Sequence, residues 1–177
     1  MRINSYASTG QAIQAPFTFY DAADSDWNKS HSNQLWNKNF SSTASLNSII
    51  KTIYSPSPSG FLEPKTAAFT GFTLTGGNAD NVNQFNISGS WNKGWNFYAN
   101  GWKTGSTIFM PALGIRDTYS GRSGKGEIAF FGDRCGIWVI EAESASNGYN
   151  LYCVPASVHP IDYCSRSFGS ICHSVKE

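Results

Sequence analysis

Asparagine is absent from residues 151–177, although the chain before them uses it freely. Residues 144–175 also lack Trp, Met, Lys, Glu and Gln, which together make up 25 of the 177 residues. At that frequency a stretch of this length free of all five arises by chance roughly once in a hundred. Those five are the residues that a codon ending N-N-pyrimidine cannot encode. Asn codons randomised at their adenines leave such a segment behind. A tail rich in β-strand also disfavours Lys, Glu and Gln, so composition alone leaves two readings, a randomised surface or a strand-rich end.

Charge is scarce as well. Only 14% of residues are charged, with 13 Lys and Arg against 12 Asp and Glu and a formal net of +1. That balance excludes the clustered basic surface by which nucleic-acid binders and anionic-membrane binders work. No apolar run approaches the length of a spanning helix. Residues 1–14 lack the charged and apolar regions of a signal peptide, so the expectation is a chain not exported by that route, or a piece of a longer protein. The four cysteines, Cys135, Cys153, Cys164 and Cys172, form no C-x-x-C pair and so no zinc site. As a disulfide framework they allow three connectivities, and free thiols fit equally well.

Catalytic patterns are missing too. There is no G-x-S-x-G elbow. The stretch 121–126 (GRSGKG) breaks the phosphate-loop spacing, and no Ser or Thr follows Lys125. Cys172 and His173 are neighbours, which on a strand point to opposite faces. Glu141 and Glu143 alone are a weak basis for a glycosidase, which needs two carboxylates across a cleft. A loop calcium through Asp21, Asp24 and Asp26 is conceivable, but a solvated loop is the commoner fate of such a run. The sequence points to no enzyme, no metal and no cofactor.

What is present is glycine, asparagine, serine and ring side chains: 17 Gly and 15% aromatic residues. That mixture favours short strands and many turns. Residues 15–20 (APFTFY) read as an early strand. The polar stretch 21–39 carries Trp27, Leu35 and Trp36 as anchors. Residues 43–54 (TASLNSIIKTIY) predict a helix with Leu46, Ile49, Ile50 and Ile53 on one face, stopped by the prolines of 55–60. A short second helix is expected at 64–70, and 73–86 reads as a polar loop. From Ser90 onward short strands follow, at 90–102, 107–111, 136–140, 149–153 and 171–175, with a turn cluster at 120–126. Trp91, Trp95, Trp102 and Trp138 are expected in the core.

Several stretches in order carry a resemblance. They are Asp26-Trp27-Asn28, Leu35-Trp36-Asn37, Tyr54-Ser-Pro-Ser-Pro-Ser-Gly-Phe61, Ala68-Phe69-Thr70-Gly71-Phe72, Ile108-Phe109-Met110-Pro111-Ala112 and Gly114-Ile115-Arg116. The C-terminal part adds Gly136-Ile-Trp138, Asn147-Gly-Tyr-Asn-Leu151, Val158-His-Pro160, Arg166-Ser-Phe-Gly169 and Val175-Lys-Glu177. Together they resemble the Fibrobacter succinogenes major paralogous domain. They resemble even more the variable proteins of gut Bacteroidetes and their phages that are diversified by retroelements.

The resemblance implies an α+β, C-type-lectin-like single domain, with two short helices in the N-terminal half and a twisted antiparallel sheet of short strands. Residues 1–14 would be an N-terminal extension and 15–177 the ligand-binding domain. Scaffold positions would include Gly136, Trp138, Asn150, Leu151, Val158, Pro160, Arg166 and Gly169. The variable, ligand-binding positions would be Arg134, Cys135, Ile137, Ile140, Tyr152, Val154, Pro155, His159, Ile161, Asp162, Tyr163, Cys164 and Phe168. Ser170, Cys172 and His173 depart from the family's Phe, Val and Arg, which leaves the last strand's register open by about a residue. The implied function is non-enzymatic capture of a host-surface protein or glycan, without nucleic acid and without membrane insertion. The implied setting is a phage tail-fibre tip, which would favour a homotrimer, or a bacterial cell surface. The alternative is a static adhesive domain of a surface or pilus-tip protein.

Overall fold

The computed structural model describes residues 2–3, 5–20, 26–40, 49–116 and 126–177. Along the chain come β1 (Arg2–Ile3), α1 (Thr9–Gln14), β2 (Phe19–Tyr20) and β3 (Phe61–Leu62). Two 3₁₀ turns, Thr66–Phe72 and Val82–Gln84, precede β4 (Ile87–Ser88), β5 (Gly94–Tyr98), β6 (Thr107–Pro111), β7 (Ile115–Arg116) and β8 (Ile128–Ala129). Then come β9 (Cys135–Ala142), β10 (Asn147–Cys153), β11 (Val158–Ser165), β12 (Ile171–Cys172) and β13 (Val175–Lys176). The result is a mixed α+β domain with a few short helices and open sheets.

The principal sheet has the order β11-β10-β9-β12, with β12 parallel to β9 and the other pairs antiparallel. All eight residues of β9 are buried. Alternation sends Cys135, Ile137 and Val139 to one face. There, with Leu151, Cys153 and Val158, they pack against Phe69, Phe72, Phe97 and Met110 in the main core. Phe72 and Phe97 stack with ring centroids 3.9 Å apart. Trp138 takes the opposite face, where its indole lies over Gly148. A Cβ there would come within 2.8 Å of the ring, so β10 needs glycine at that position.

Polar side chains directed at backbone tie the loops down. Asn86, buried, donates from Nδ2 to the carbonyls of Gly71, Tyr98 and Gly101 at 2.8, 3.2 and 3.1 Å, and its Oδ1 accepts from Lys103 N at 2.6 Å. Glu63, fully buried, accepts from Ser57 N at 2.9 Å, from Ser57 Oγ at 2.7 Å and from Ser55 Oγ. Lys51 Nζ donates to the carbonyls of Ser57, Pro58 and Phe61, each at 2.6 Å. The proline-rich loop is thereby fixed, and β3 behind it pairs with β13. Such fully satisfied networks hold one conformation because leaving any member unpaired is costly.

The N-terminal segment packs against the loop around residues 27–29. Ala7 is buried and exchanges backbone hydrogen bonds with Trp27 and Lys29, so the stretch read as an extension contributes to the packed body. Helix α1 starts in a capping box formed by Ser8 and Gln11. Arg166 fastens this segment. Its guanidinium reaches Asp26 at 3.4 Å and Ser32 O at 3.2 Å, with further bonds to Asn33 and Ser144 O, while Nε donates to Asn147 O.

Several expectations are corrected. Residues 49–54 are not helical: Lys51 bridges Asn37, Lys38 N donates to Ile50 O, and Thr52 N donates to Trp36 O. Branched Ile and Thr favour this extended form, and Ile53, 91% exposed, has no core to face. Residues 43–48 of that expectation lie outside the described residues, as does most of the turn cluster 120–126. The second helix is a 3₁₀ turn beginning at Thr66 rather than at Pro64. The early strand shrinks to Phe19–Tyr20 because a turn occupies Pro16 and Phe17. Trp102 is 37% exposed, with Lys103 Nζ 5.1 Å from its ring centroid, and so lies outside the core.

Two outcomes check the packing. Trp138→Ala is expected to cost about 3–5 kcal/mol in urea denaturation, the range for removing a buried large aromatic side chain. Glu141 is buried on β9 and accepts from Thr66 N at 3.0 Å, yet burial raises its pKa above the ordinary carboxylate value. A raised carboxylate binds its proton more readily in the folded state. Its ionisation therefore costs stability as pH climbs from the ordinary carboxylate range through the raised value. Glu141→Gln keeps an acceptor for Thr66 N and removes that cost. Unfolding curves at pH 4 and pH 8 should show the variant gaining on the parent as pH rises.

Candidate functional site

On the face of the principal sheet turned away from the core, Tyr152 of β10 and His159 and Asp162 of β11 are part-exposed. Tyr152 pairs with His159, and Asn150 pairs with Asp162, with a register shift between the two pairs. In a regular strand residues three apart point to opposite faces. The bulge inserts an extra residue into β11, so His159 and Asp162 share the outer face. Their side chains approach to 3.7 Å, Nδ1 to Oδ2. Tyr152 lies beside His159 with ring centroids 5.6 Å apart. Arg134, just before β9, spreads its guanidinium 5.2 Å from the Tyr152 ring and 4.1 Å from the Phe130 ring.

A loop from far back in the chain completes the cluster. Ala79 and Val158 exchange backbone hydrogen bonds at 2.9 Å in both directions. That bridge sets Asp80 beside β11, where Oδ1 meets His159 Nε2 at 3.0 Å and accepts from Ser157 Oγ at 2.7 Å. Hydrogen bonds from His159 and then Ser157 hold the Asp80 carboxyl below its ordinary value. Sequence reasoning missed Asp80 and Ser157. No local pattern marks either residue, and only the pairing of two distant segments joins them to the site.

Chemically the cluster is a hydrogen-bonded surface rather than a proton relay. A nucleophilic triad places the imidazole between the hydroxyl and the acid. Here the acid lies in the middle, with Ser157 and His159 both directed at the same Asp80 oxygen. Burial, reinforced by the charge of Asp162, pushes the Cys164 thiol up to about 12. Almost none of it is the reactive thiolate at neutral pH. Among the described residues, no group of three His, Cys, Asp or Glu side chains is arranged to hold a metal ion. Asp26 is committed to Arg166, His31 and Asn28 N, while Asp21 and Asp24 lie outside the described residues.

The thirteen expected contact positions divide. Arg134, Tyr152, His159, Asp162 and Cys164 come together on the outer face. Ile161 is half-buried within the bulged stretch of β11. Val154 and Pro155 form the β10–β11 turn, where Val154 O accepts from Trp95 Nε1 at 3.0 Å. Tyr163 is 58% exposed but pairs with Tyr149 on the other side of the sheet. Three assignments are corrected outright. Cys135 and Ile137 belong to the main core, and Ile140 is buried on the Trp138 side. Buried side chains in a strand covered on both faces cannot reach a ligand. Phe168, half-buried, lines with Ile140 a cavity of about 330 Å³ between Trp138 and the N-terminal segment, away from the Tyr152 cluster.

No family model, curated protein or solved structure matches the chain. Among the described residues no helix is long and apolar enough to cross a membrane.

The state of Cys164 is directly measurable. In native protein at pH 8 it should be alkylated at least about a hundredfold more slowly than an unperturbed cysteine. Timed iodoacetamide labelling read by peptide mass gives the rate.

Proposed function

We propose that this chain is a non-enzymatic recognition module with a C-type-lectin-like scaffold. Its outer sheet face captures a host-surface protein or glycan, at a phage tail tip or on a bacterial surface. The observation that carries the reading is the convergence of Arg134, Tyr152, His159 and Asp162 on one accessible face, opposite the core. The composition break at the C-terminal end falls on the same strands.

The chemistry suits binding. Tyr152 and His159 offer rigid ring area at small entropic cost, and Arg134 and Asp162 add directional polar contacts. A binding face also needs a backbone that does not rely on its outward side chains. Here the strands are held from behind by Leu151, Cys153 and Val158, all fully buried.

Alanine substitution at Arg134, Tyr152, His159 and Asp162 tests the proposal. Binding of the full chain to an array of gut-bacterial surface proteins and glycans should fall tenfold or more for at least one central residue, as at interface hot spots. Each folding cost should stay near about 0.5 kcal/mol, the usual range for outward-facing positions. Unchanged binding, or cooperative unfolding on these substitutions, would count against the face. Diversification has its own check: a nearby template copy of the 3′ coding sequence differing only at adenines, beside a reverse transcriptase.

A further inference from the structure

We propose that Cys135 and Cys153 are the disulfide-forming pair of this chain, crosslinking β9 to β10 directly beneath the outer face. Four cysteines allow three connectivities, and the fold discriminates among them. Cys135 and Cys153 are Cα partners across the antiparallel β9–β10 pair, and both are fully buried. Both side chains belong to the same core cluster, on the same face of the sheet. Directly opposed residues on antiparallel strands have Cα atoms about 4.5–5.5 Å apart. A disulfide spans about 4.4–6.8 Å without backbone movement.

The other two cysteines have no such partner. Cys164 stands opposite Gly148, and Cys172 stands beside Trp138 on β12. The strand order β11-β10-β9-β12 puts three strand spacings between them. That is about 14 Å, well beyond a disulfide's reach.

The reaction needs a disulfide oxidant, of which oxidised glutathione is the simplest. The thiolate of one cysteine attacks the glutathione disulfide, forming a mixed disulfide and releasing one glutathione thiolate. The second cysteine, deprotonated in turn, attacks the protein-side sulfur and expels the second glutathione. Two electrons pass from the protein dithiol to the oxidant, and the two thiol protons end on the two glutathione thiols. The neighbouring Cys135 thiol, together with burial, holds the Cys153 thiol well above its ordinary pKa, and both sulfurs are shut away from an oxidant in the folded core. Exchange therefore belongs to the folding stage, before Phe69, Phe72 and Phe97 close over the hairpin.

The bond lies one residue from two members of the outer face, since Arg134 precedes Cys135 and Tyr152 precedes Cys153. It would fix the strand separation at the point where Arg134 meets the Tyr152 ring, a form of preorganisation.

The test refolds the full chain from reducing denaturant into a reduced and oxidised glutathione buffer, then quenches with acid. Thiols are alkylated in denaturant and counted by intact mass, and peptide mapping locates any bond. The expected product carries two alkyl groups instead of four, a Cys135–Cys153 linked peptide, and a Tm roughly 6–12 °C above the reduced form. Four alkylated cysteines, or a bond through Cys164 or Cys172, would overturn the proposal. The double variant Cys164→Ser with Cys172→Ser leaves the core pair intact and must still lose both remaining thiols on refolding. Retention of both as free thiols overturns it equally.

Discussion

The constraint on which the rest of the molecule depends is the burial of β9 along its whole length. A strand covered on both faces must find apolar or fully paired neighbours in two directions. One direction is supplied by the 3₁₀ turn at Thr66–Phe72 and the β5–β6 ribbon, which meet Ile137 and Val139 in the main core. The other is supplied by the N-terminal segment, which lies over Trp138 and Ile140 and is fastened by Arg166 to Asp26. That cover reaches Gly148 of β10 but stops short of Tyr152, His159 and Asp162. The uncovered part of the sheet is what remains when the central strand has been satisfied, and it is there that Tyr152, His159 and Asp162 emerge.

Position on the open face is then decided by one irregularity. Without the register shift between Asn150 and Tyr152, His159 and Asp162 would lie on opposite sides of β11. The shift lets both side chains face outward, while Val158 and Pro160 remain fully buried. Pro160 is tolerated because β11 is an edge strand, where a missing N–H removes no ladder bond from the interior. The same edge admits the loop carrying Asp80, which pairs through Ala79 with Val158. A central strand would have had no free edge to offer that loop.

Much of this was legible in the sequence, and the failures have physical causes. The stretches 90–102, 107–111 and 149–153 read as strands through their aromatic and branched residues, and β5, β6 and β10 fall on them, with β5 shorter and β10 two residues longer than read. β11 was not foreseen, because Pro155 and Pro160 argue against a strand unless its place at the sheet edge is known. The resemblance placed Cys135 and Ile137 among the contacts, and the local pattern offers no check on that placement. Alternation separates inside from outside only when one face is wet, and β9 has no wet face. The stripe of Ile49, Ile50 and Ile53 matched a helix by spacing, yet Lys51 was drawn into extended pairing with Asn37 and its ammonium into the carbonyls of the proline-rich loop. Spacing reports a local preference, and three carbonyl acceptors at a fixed place outweigh it. Asp80 and Ser157 lay beyond any local reading, since their partnership exists only after β11 has formed.

A surface proposed to accept changing side chains must draw no stability from them, and the location of the strongest polar contacts bears on that requirement. Asn86, Glu63 and Lys51 make their multiple bonds in loops remote from the Tyr152 cluster. Arg166 lies close to it in sequence, yet its bonds go to Asp26, Ser32 and Ser144, none of them in the Tyr152 cluster. On the open face itself the contacts are ring edges, a guanidinium over an aromatic ring and an imidazole between two carboxylates. Exposed pairs of that kind contribute little to folding because water and salt compete for them. The division is therefore energetic as well as spatial. The frame is held by buried groups such as Asn86 and Glu63 with several partners each, and the face is left with interactions weak enough to be exchanged for those of a ligand.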